Sequence, residues 1–524
     1  MRGLSRRSVV LSVTSLLVAS VVAAPTAHAA GVPRQAAVAA SSPAPGAFTI
    51  AVIPDTQNEV FGGDQRFANR TQWLANNRSA LNLAFVLHSG DMVNWDTADH
   101  AQYAVARSAM SKLDTVGIPW IPAIGNHDTA AVCPGGSACP NQSAHDNLRR
   151  TGTFNQYFPL SRFPWVDGTF EAGKIDNSWT TFTAGNEDWL VLNLELWPRP
   201  AVISWARAVI AARPNQNVVI VTHSYLTGGG GIEPGNGGYG DTSPQYLYDN
   251  LVAPYSNVKL VFSGHVGIAG NRTDVRPDGS KVVSVLGTFH SDTTNPIQLM
   301  TVDTAAGTVS TKFYAPWDGA TWPQYGLSVK GLRWASGFDP AAPTVAFRAV
   351  ANNRIVTAEA AGGQSLIANR TVVGPWERFA WQRLDGGRVA VRASINQQFV
   401  TAEAAGAQPL IANRRYLAEW ETFDLINNPD GTVSLRSLAN GRYVAAEDGG
   451  GAPSSPTAPR SARGRSSCCC PHRGVGRWST EQRPIRGRIW VWPGTAPCTD
   501  PMSLSPGCRA ATSRTRRPMR TRSR

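Results

Sequence analysis

Five apolar runs in this chain each end in side chains that can bind a metal or move a proton. Residues 48–53 are followed by Pro54-Asp55-Thr56-Gln57, 83–88 by Ser89-Gly90-Asp91, and 118–124 by Gly125-Asn126-His127-Asp128. Residues 217–222 are followed by His223-Ser224, and 258–263 by Gly264-His265. Carboxylates, imidazoles and amide oxygens form a mixed nitrogen and oxygen donor set with no thiolate in it. Such a set suits zinc, manganese or iron rather than a structural zinc cage. Two such ions roughly 3.5–4 Å apart can hold a phosphate and generate hydroxide. A carboxylate such as Asp91 can bridge both, and Gly90 and Gly125 let the backbone turn sharply beside them. A single Gly-Asp is usually a turn, and a single histidine at a strand end is usually structural. The ordered set, spread over about 210 residues, carries the weight.

Something must bring these residues together. Helix patterns at 65–80, 100–114 and 203–212 separate the apolar runs, which gives an α/β domain. In open α/β sheets the carboxyl ends of the strands form one edge, where ligands bind. Residues 281–315 read as successive strands with a turn at Ala305-Ala306-Gly307, so the sheet is expected to be mixed.

The ordered set D-x-Q, GD, GNHD, H and GH resembles the calcineurin-like metallophosphoesterases over about residues 48–315. The resemblance implies a mixed β-sandwich flanked by helices and a phosphate mono- or diester substrate. It also implies two divalent ions (manganese, zinc, iron or calcium). Carried over position by position, Asp55 holds the first metal and Asp91 bridges both. Asn126, His223 and His265 complete the second. His127 contacts the phosphate and protonates the leaving oxygen, and Asp128 orients His127. Two departures fall on the first metal. The family's D-x-H is Asp55-Thr56-Gln57 here, and its GH-x-H ends in Gly267. The first metal is left with Asp55, Asp91 and the Gln57 amide oxygen, a harder and weaker site that favours manganese, magnesium or calcium. His290, Asn58 and Glu59 are candidates to fill the gap, with a structural role for His290 weighed above a ligand role. His88, His100 and His145 are read as structural or exposed. The glycine-rich stretch 228–241 lacks the Gly-Lys-Ser/Thr of a phosphate loop and reads as a flexible cover beside His223. Trp95, Tyr157, Trp197 and Tyr225 either line the pocket or belong to the core.

Residues 345–451 repeat with a period of 44: "RIVTAEAAGGQSLIANR" at 354–370 recurs as "QFVTAEAAGAQPLIANR" at 398–414. Three such units of short strands suggest an all-β trefoil, and the sequence resembles fascin-like β-trefoils appended to secreted bacterial proteins. The third copy opens as "RYVAAEDGGGAP" and dissolves into "SSPTAPRSARGRSS". Plausible GC-rich codons for "LIANRTAIGPWEKF", read one base late, give that same string. The tail 454–524 is therefore read as frame-shifted and the trefoil as incomplete. The expected organisation is a signal peptide (1–29), a linker (30–47), the phosphoesterase domain (48–316), a second linker (317–342), the trefoil (343–453) and the tail.

The net charge of +13 invites a nucleic-acid reading, but its distribution argues against one. Residues 452–524 hold 15 Arg, no Lys and only Glu481 and Asp500 as acids, while the rest carries 34 basic and 34 acidic residues. No nucleic-acid binding is assigned to the tail. Arg2, Arg6 and Arg7 precede an apolar run and Ala27-His28-Ala29, the pattern of an export signal by the general or twin-arginine route. The expectation is a secreted protein with no membrane association after cleavage. Cys133 and Cys139 are expected to close a small disulfide loop, with a zinc pair as the alternative. Two other functions compete with the enzyme. One is a non-catalytic protein binding metal or phosphate, and the other is an adhesion protein whose trefoil binds polysaccharide or a cell surface.

Overall fold

The computed structural model describes residues 46–290, 294–458 and 478–479. The signal peptide, most of the 30–47 linker and most of the 454–524 tail lie outside the described residues. The chain divides into two compact units, residues 1–335 and 336–524. Among the described residues, no helix is long and apolar enough to cross a membrane.

The first unit contains two mixed sheets. In one, Ala47–Ile53, Leu83–His88 and Trp120–Pro122 run parallel, with Ile53 beside His88 and His88 beside Pro122. Ile297–Asp303, Thr308–Tyr314 and Leu327–Lys330 extend it antiparallel to six strands. In the other, of seven strands, Glu187–Asn193, Asn217–Val221, Val258–Ser263 and Lys281–Gly287 run parallel, flanked by antiparallel edge strands. Alternation along the strands explains the layering. Trp189, Val191, Val219 and Val221 face the first sheet and share its core with Phe48, Ile50 and Val86. Leu190, Leu192, Val218 and Ile220 face the other way, onto the helix Pro200–Ala211 through Val202, Ile203, Ala206 and Ile210. Helices Arg66–Asn76 and Ala101–Thr115 cover the first sheet with Phe67, Trp73, Leu74, Tyr103 and Met110. Both faces of the central strands are thus covered, which is why they read as continuous apolar runs.

Two segments differ from the sequence reading. Of the run 118–124, only Trp120–Pro122 is strand, and the chain then loops through Asp128. Residues 317–342, read as a linker, include the strand Leu327–Lys330 and the buried Trp334, whose indole donates to the Thr304 carbonyl at 2.9 Å. Only Leu327 and Val329 mark that strand, too short an alternation to stand out among glycines and prolines.

The described part of the second unit is all-β with antiparallel pairing throughout, and one hairpin occurs three times. Ile355–Ala358 pairs with Leu366–Arg370, Gln398–Ala402 with Leu410–Arg414, and Tyr443–Ala446 with Ser454–Ala458, with the same irregularity at the same place in each. An asparagine amide ties each copy: Asn352, Asn396 and Asn440 donate to the carbonyls of Ala368, Ala412 and Pro456. Each asparagine also packs against a glycine of the preceding copy: Gly362 on Asn396, Gly406 on Asn440 and Gly450 on Asn352. The last contact returns to the first copy, so the repeats close in a ring.

Candidate metal centre

The parallel strands of both sheets deliver their carboxyl ends to one place. Asp55, two residues past Ile53, is buried; its Oδ1 accepts from Ser89 Oγ at 2.9 Å and its Oδ2 from the His265 amide at 3.0 Å. Asp91 follows Leu83–His88 in a left-handed conformation (φ 52°), and its Oδ1 accepts from the His127 amide at 3.0 Å. His223 is fully buried, with Nε2 3.1 Å from Asp91 Oδ2 and 3.1 Å from His265 Nδ1. Its Nδ1 lies 2.8 Å from the Ser89 carbonyl, which fixes the Nδ1–H tautomer and turns Nε2 toward the carboxylates. Trp197 meets the His265 ring edge to face.

Glycines make room for this. A Cβ on Gly125 would lie 2.0 Å from Asp91 Oδ1, and one on Gly264 would lie 2.1 Å from Asp55 Oδ1. A Cβ on Gly90, where φ is +103°, would lie 2.6 Å from His223 Nδ1. These loops are glycine because the carboxylates and imidazoles occupy the space a side chain would need.

Charge is concentrated here. Burial works against ionisation of Asp91, but the His223 and His127 imidazoles outweigh it and hold the carboxyl well below the usual range. Burial likewise opposes a proton on His223, yet Asp91 and Asp55 lift it to about 9. Burial and the neighbouring His223 push His265 down to about 3.

The residues fit divalent cations. Asn126 Oδ1 and Gln57 Oε1 are buried and meet no hydrogen-bond partner among the described residues. Such acceptors are costly unless something satisfies them, and a cation would. Ligand atoms of Asp91, His223 and His265 lie within 4.8 Å of one another, as do those of Asp55, Asp91 and His290, so the two groups share Asp91. Of the residues singled out in the sequence, the structure brings Asp55, Asp91, His127, His223 and His265 into this one set of contacts. Gln57 reaches it through its amide nitrogen, 3.4 Å from His127 Nε2.

Asp128 does not contact the imidazole it was expected to orient. Its Oδ2 accepts from the Gly125 amide at 2.9 Å and its Oδ1 from the Val93 amide at 3.2 Å, so it ties the Asn126–His127 loop to the loop that follows Asp91. His127 is held instead by the Asn94 carbonyl, 2.5 Å from Nδ1. A main-chain carbonyl leaves no mark in a sequence. Glu59 is turned away onto Arg70, and the Asn58 side chain accepts from Asn94, so neither faces the cluster. His290 Nε2 lies 3.0 Å from Asp55 Oδ2. Its signal was present, since it too follows an apolar strand, but Thr288 and Phe289 intervene.

Cys133 and Cys139 are paired, which excludes the zinc alternative. Their loop leans over the site: a Cβ on Gly136 would lie 2.8 Å from Asn94 Oδ1 and 3.8 Å from His127 Cε1. Tyr225 is fully buried and Tyr157 stacks on Tyr103 in the core, whereas Trp95 packs on Phe61 near Gly136.

Residues 48–268 match the family model for calcineurin-like phosphoesterases, and this region is a calcineurin-like metallophosphoesterase domain. The chain is 28% identical over 240 residues to the uncharacterized protein YvnB of Bacillus subtilis (strain 168). That match covers 45% of this chain but only 16% of YvnB. Among solved structures, a dimetal phosphatase from Danio rerio shares 13% identity, covering 54% of this chain and 98% of its own, with a TM-score of 0.33. The designed 3-fold symmetric protein ThreeFoil shares 14% identity, covering 26% of this chain and 96% of its own, with a TM-score of 0.22.

Proposed function

We propose that the first unit is a secreted metal-dependent phosphoesterase with two divalent ions, and that the second is a β-trefoil that binds polysaccharide or a cell-surface ligand. The observation that carries the enzymatic reading is the pair of ligand groups sharing Asp91, beside the unpartnered Asn126 Oδ1. The second ion is assigned to Asp91, Asn126, His223 and His265, and the first to Asp55, Asp91 and Gln57. When bound, the ions supply charge that polarises a phosphoryl oxygen and acidifies water. His127 holds the proton for the leaving oxygen. With Nδ1–H fixed on the Asn94 carbonyl, Nε2 is the ring nitrogen turned toward the site. Gln57, 3.4 Å from that nitrogen, limits how the ring can turn. Asp128 keeps the two loops in register rather than touching the reacting atoms. The closed ring of three hairpins supports the trefoil reading.

Hydrolysis of an aryl phosphate monoester and a diester, with added manganese, tests the enzyme. Turnover in the wild type, lost in Asp91→Ala and reduced by roughly 10²–10⁴-fold in His127→Ala, is the expected result. Metal uptake without turnover of either ester would favour a protein that binds metal or phosphate. The departures at Gln57 and Gly267 motivate that second reading.

A further inference from the structure

Building on the two-ion reading above, we propose that His290 supplies the imidazole of the first metal ion, a ligand from outside the motif set. The family's histidine positions hold Gln57 and Gly267 in this chain. Gly267 is not simply a lost side chain. Its φ is +67°, and a Cβ there would lie 2.8 Å from Gly228 Cα. The backbone of the glycine-rich stretch, closed by a Leu226–Ile232 bridge, has taken the space. No imidazole fits at 267 while that loop keeps its place.

The replacement comes from the next strand of the same sheet. Lys281–Gly287 runs parallel to Val258–Ser263, with Leu286 beside Ser263, so both end at the same edge. Thr288 then anchors the chain: its amide donates to the Ile268 carbonyl and its Oγ1 to the Val266 carbonyl, each at 2.8 Å. Phe289 adopts φ 50° and packs among Phe313, Trp322 and Tyr325. This turn brings His290 Nε2 to 3.0 Å from Asp55 Oδ2, and its ligand atom lies within 4.8 Å of those of Asp55 and Asp91. Two independent features point to a cation between them. Asp91 is shared with the His223 and His265 group, and the amide oxygen of the nine-tenths buried Gln57 has no partner. Two carboxylates, one imidazole and one amide oxygen make a four-donor set for a borderline to hard divalent ion.

The test is manganese content after gel filtration, with electron paramagnetic resonance of the loaded protein, on wild type, His290→Ala and His265→Ala. His290 is partly exposed, so its removal should spare the fold, and thermal melting checks this. The expected result is about two ions in wild type and about one in His290→Ala, with the spin-coupled signal replaced by that of isolated manganese. Adding Gln57→His to His290→Ala should restore the second ion. Two coupled ions retained in His290→Ala at wild-type affinity would overturn the assignment of His290 alone. A single ion in wild type, kept in His290→Ala and lost in His265→Ala, would overturn both this assignment and the two-ion reading.

Discussion

Gly125 leaves the space that the Asp91 carboxylate occupies. Gly125→Ala would drive a Cβ to 2.0 Å from Asp91 Oδ1 and 2.5 Å from the Asp91 amide nitrogen. Neither atom can retreat without moving the shared ligand. The variant should fold and lose about 100-fold or more in phosphoester turnover, since displacement of this kind by about 1 Å is that costly. Equal turnover in Gly125→Ala would show that Asp91 is not at the reacting centre. Asp128 separates positioning from chemistry in the same loop. In Asp128→Asn one backbone amide faces an NH₂ group instead of an oxygen, which should cost about 1–3 kcal/mol in urea unfolding. His127 keeps its own hold on Asn94. An unchanged unfolding midpoint with lost activity would return Asp128 to a direct role on the imidazole.

At the scale of elements, the parallel strands bear the geometry, and two of their pairings are irregular, one at Thr49/Ile50 and one beside a buried lysine. The register of Val258–Ser263 against Asn217–Val221 shifts between Val258 and Leu260, placing both Val258 and Val261 on the outer core. Lys259 sits at that irregularity, buried, with Nζ donating to the Ser256 carbonyl at 2.6 Å. Burial and then the Arg276 guanidinium lower its pKa to about 8, from an ordinary 10.5. The folded chain therefore binds fewer protons than the unfolded one between these values. The Lys259 contribution to stability is therefore least favourable below about pH 8 and improves from there toward pH 10.5. Lys259→Met should abolish that rise and stabilise the protein at pH 7 by about 1–3 kcal/mol, read from chemical unfolding at both pH values. A variant whose stability still climbs with pH would place the titration elsewhere.

At the scale of the whole molecule, the third hairpin of the second unit departs from the other two at one buried position. Ser454 takes the register position that Leu366 and Leu410 fill in the other two hairpins, opposite Ala446 as they are opposite Ala358 and Ala402. It is fully buried and its hydroxyl meets no partner among the described residues, while Leu366 and Leu410 belong to the core. A buried hydroxyl without a partner is costly where the other two copies bury a leucine. Ser454→Leu should stabilise the second unit by about 1–3 kcal/mol in calorimetry, and a destabilised variant would argue that serine belongs there. The sequence by itself determined a great deal. Apolar strands ending in Asp55, Asp91, His223 and His265 announce the α/β class and the donor chemistry, because strand burial and metal affinity are both written in residue types. The 44-residue period likewise announces the repeats. Only the tertiary structure decided which atoms meet. It turned Asp128 onto two backbone amides, put the Asn94 carbonyl behind His127, filled the space at Gly267 with Gly228 and set His290 on Asp55. Those outcomes depend on main-chain groups and on segments distant in sequence, and residue types along one chain do not encode distances between its loops.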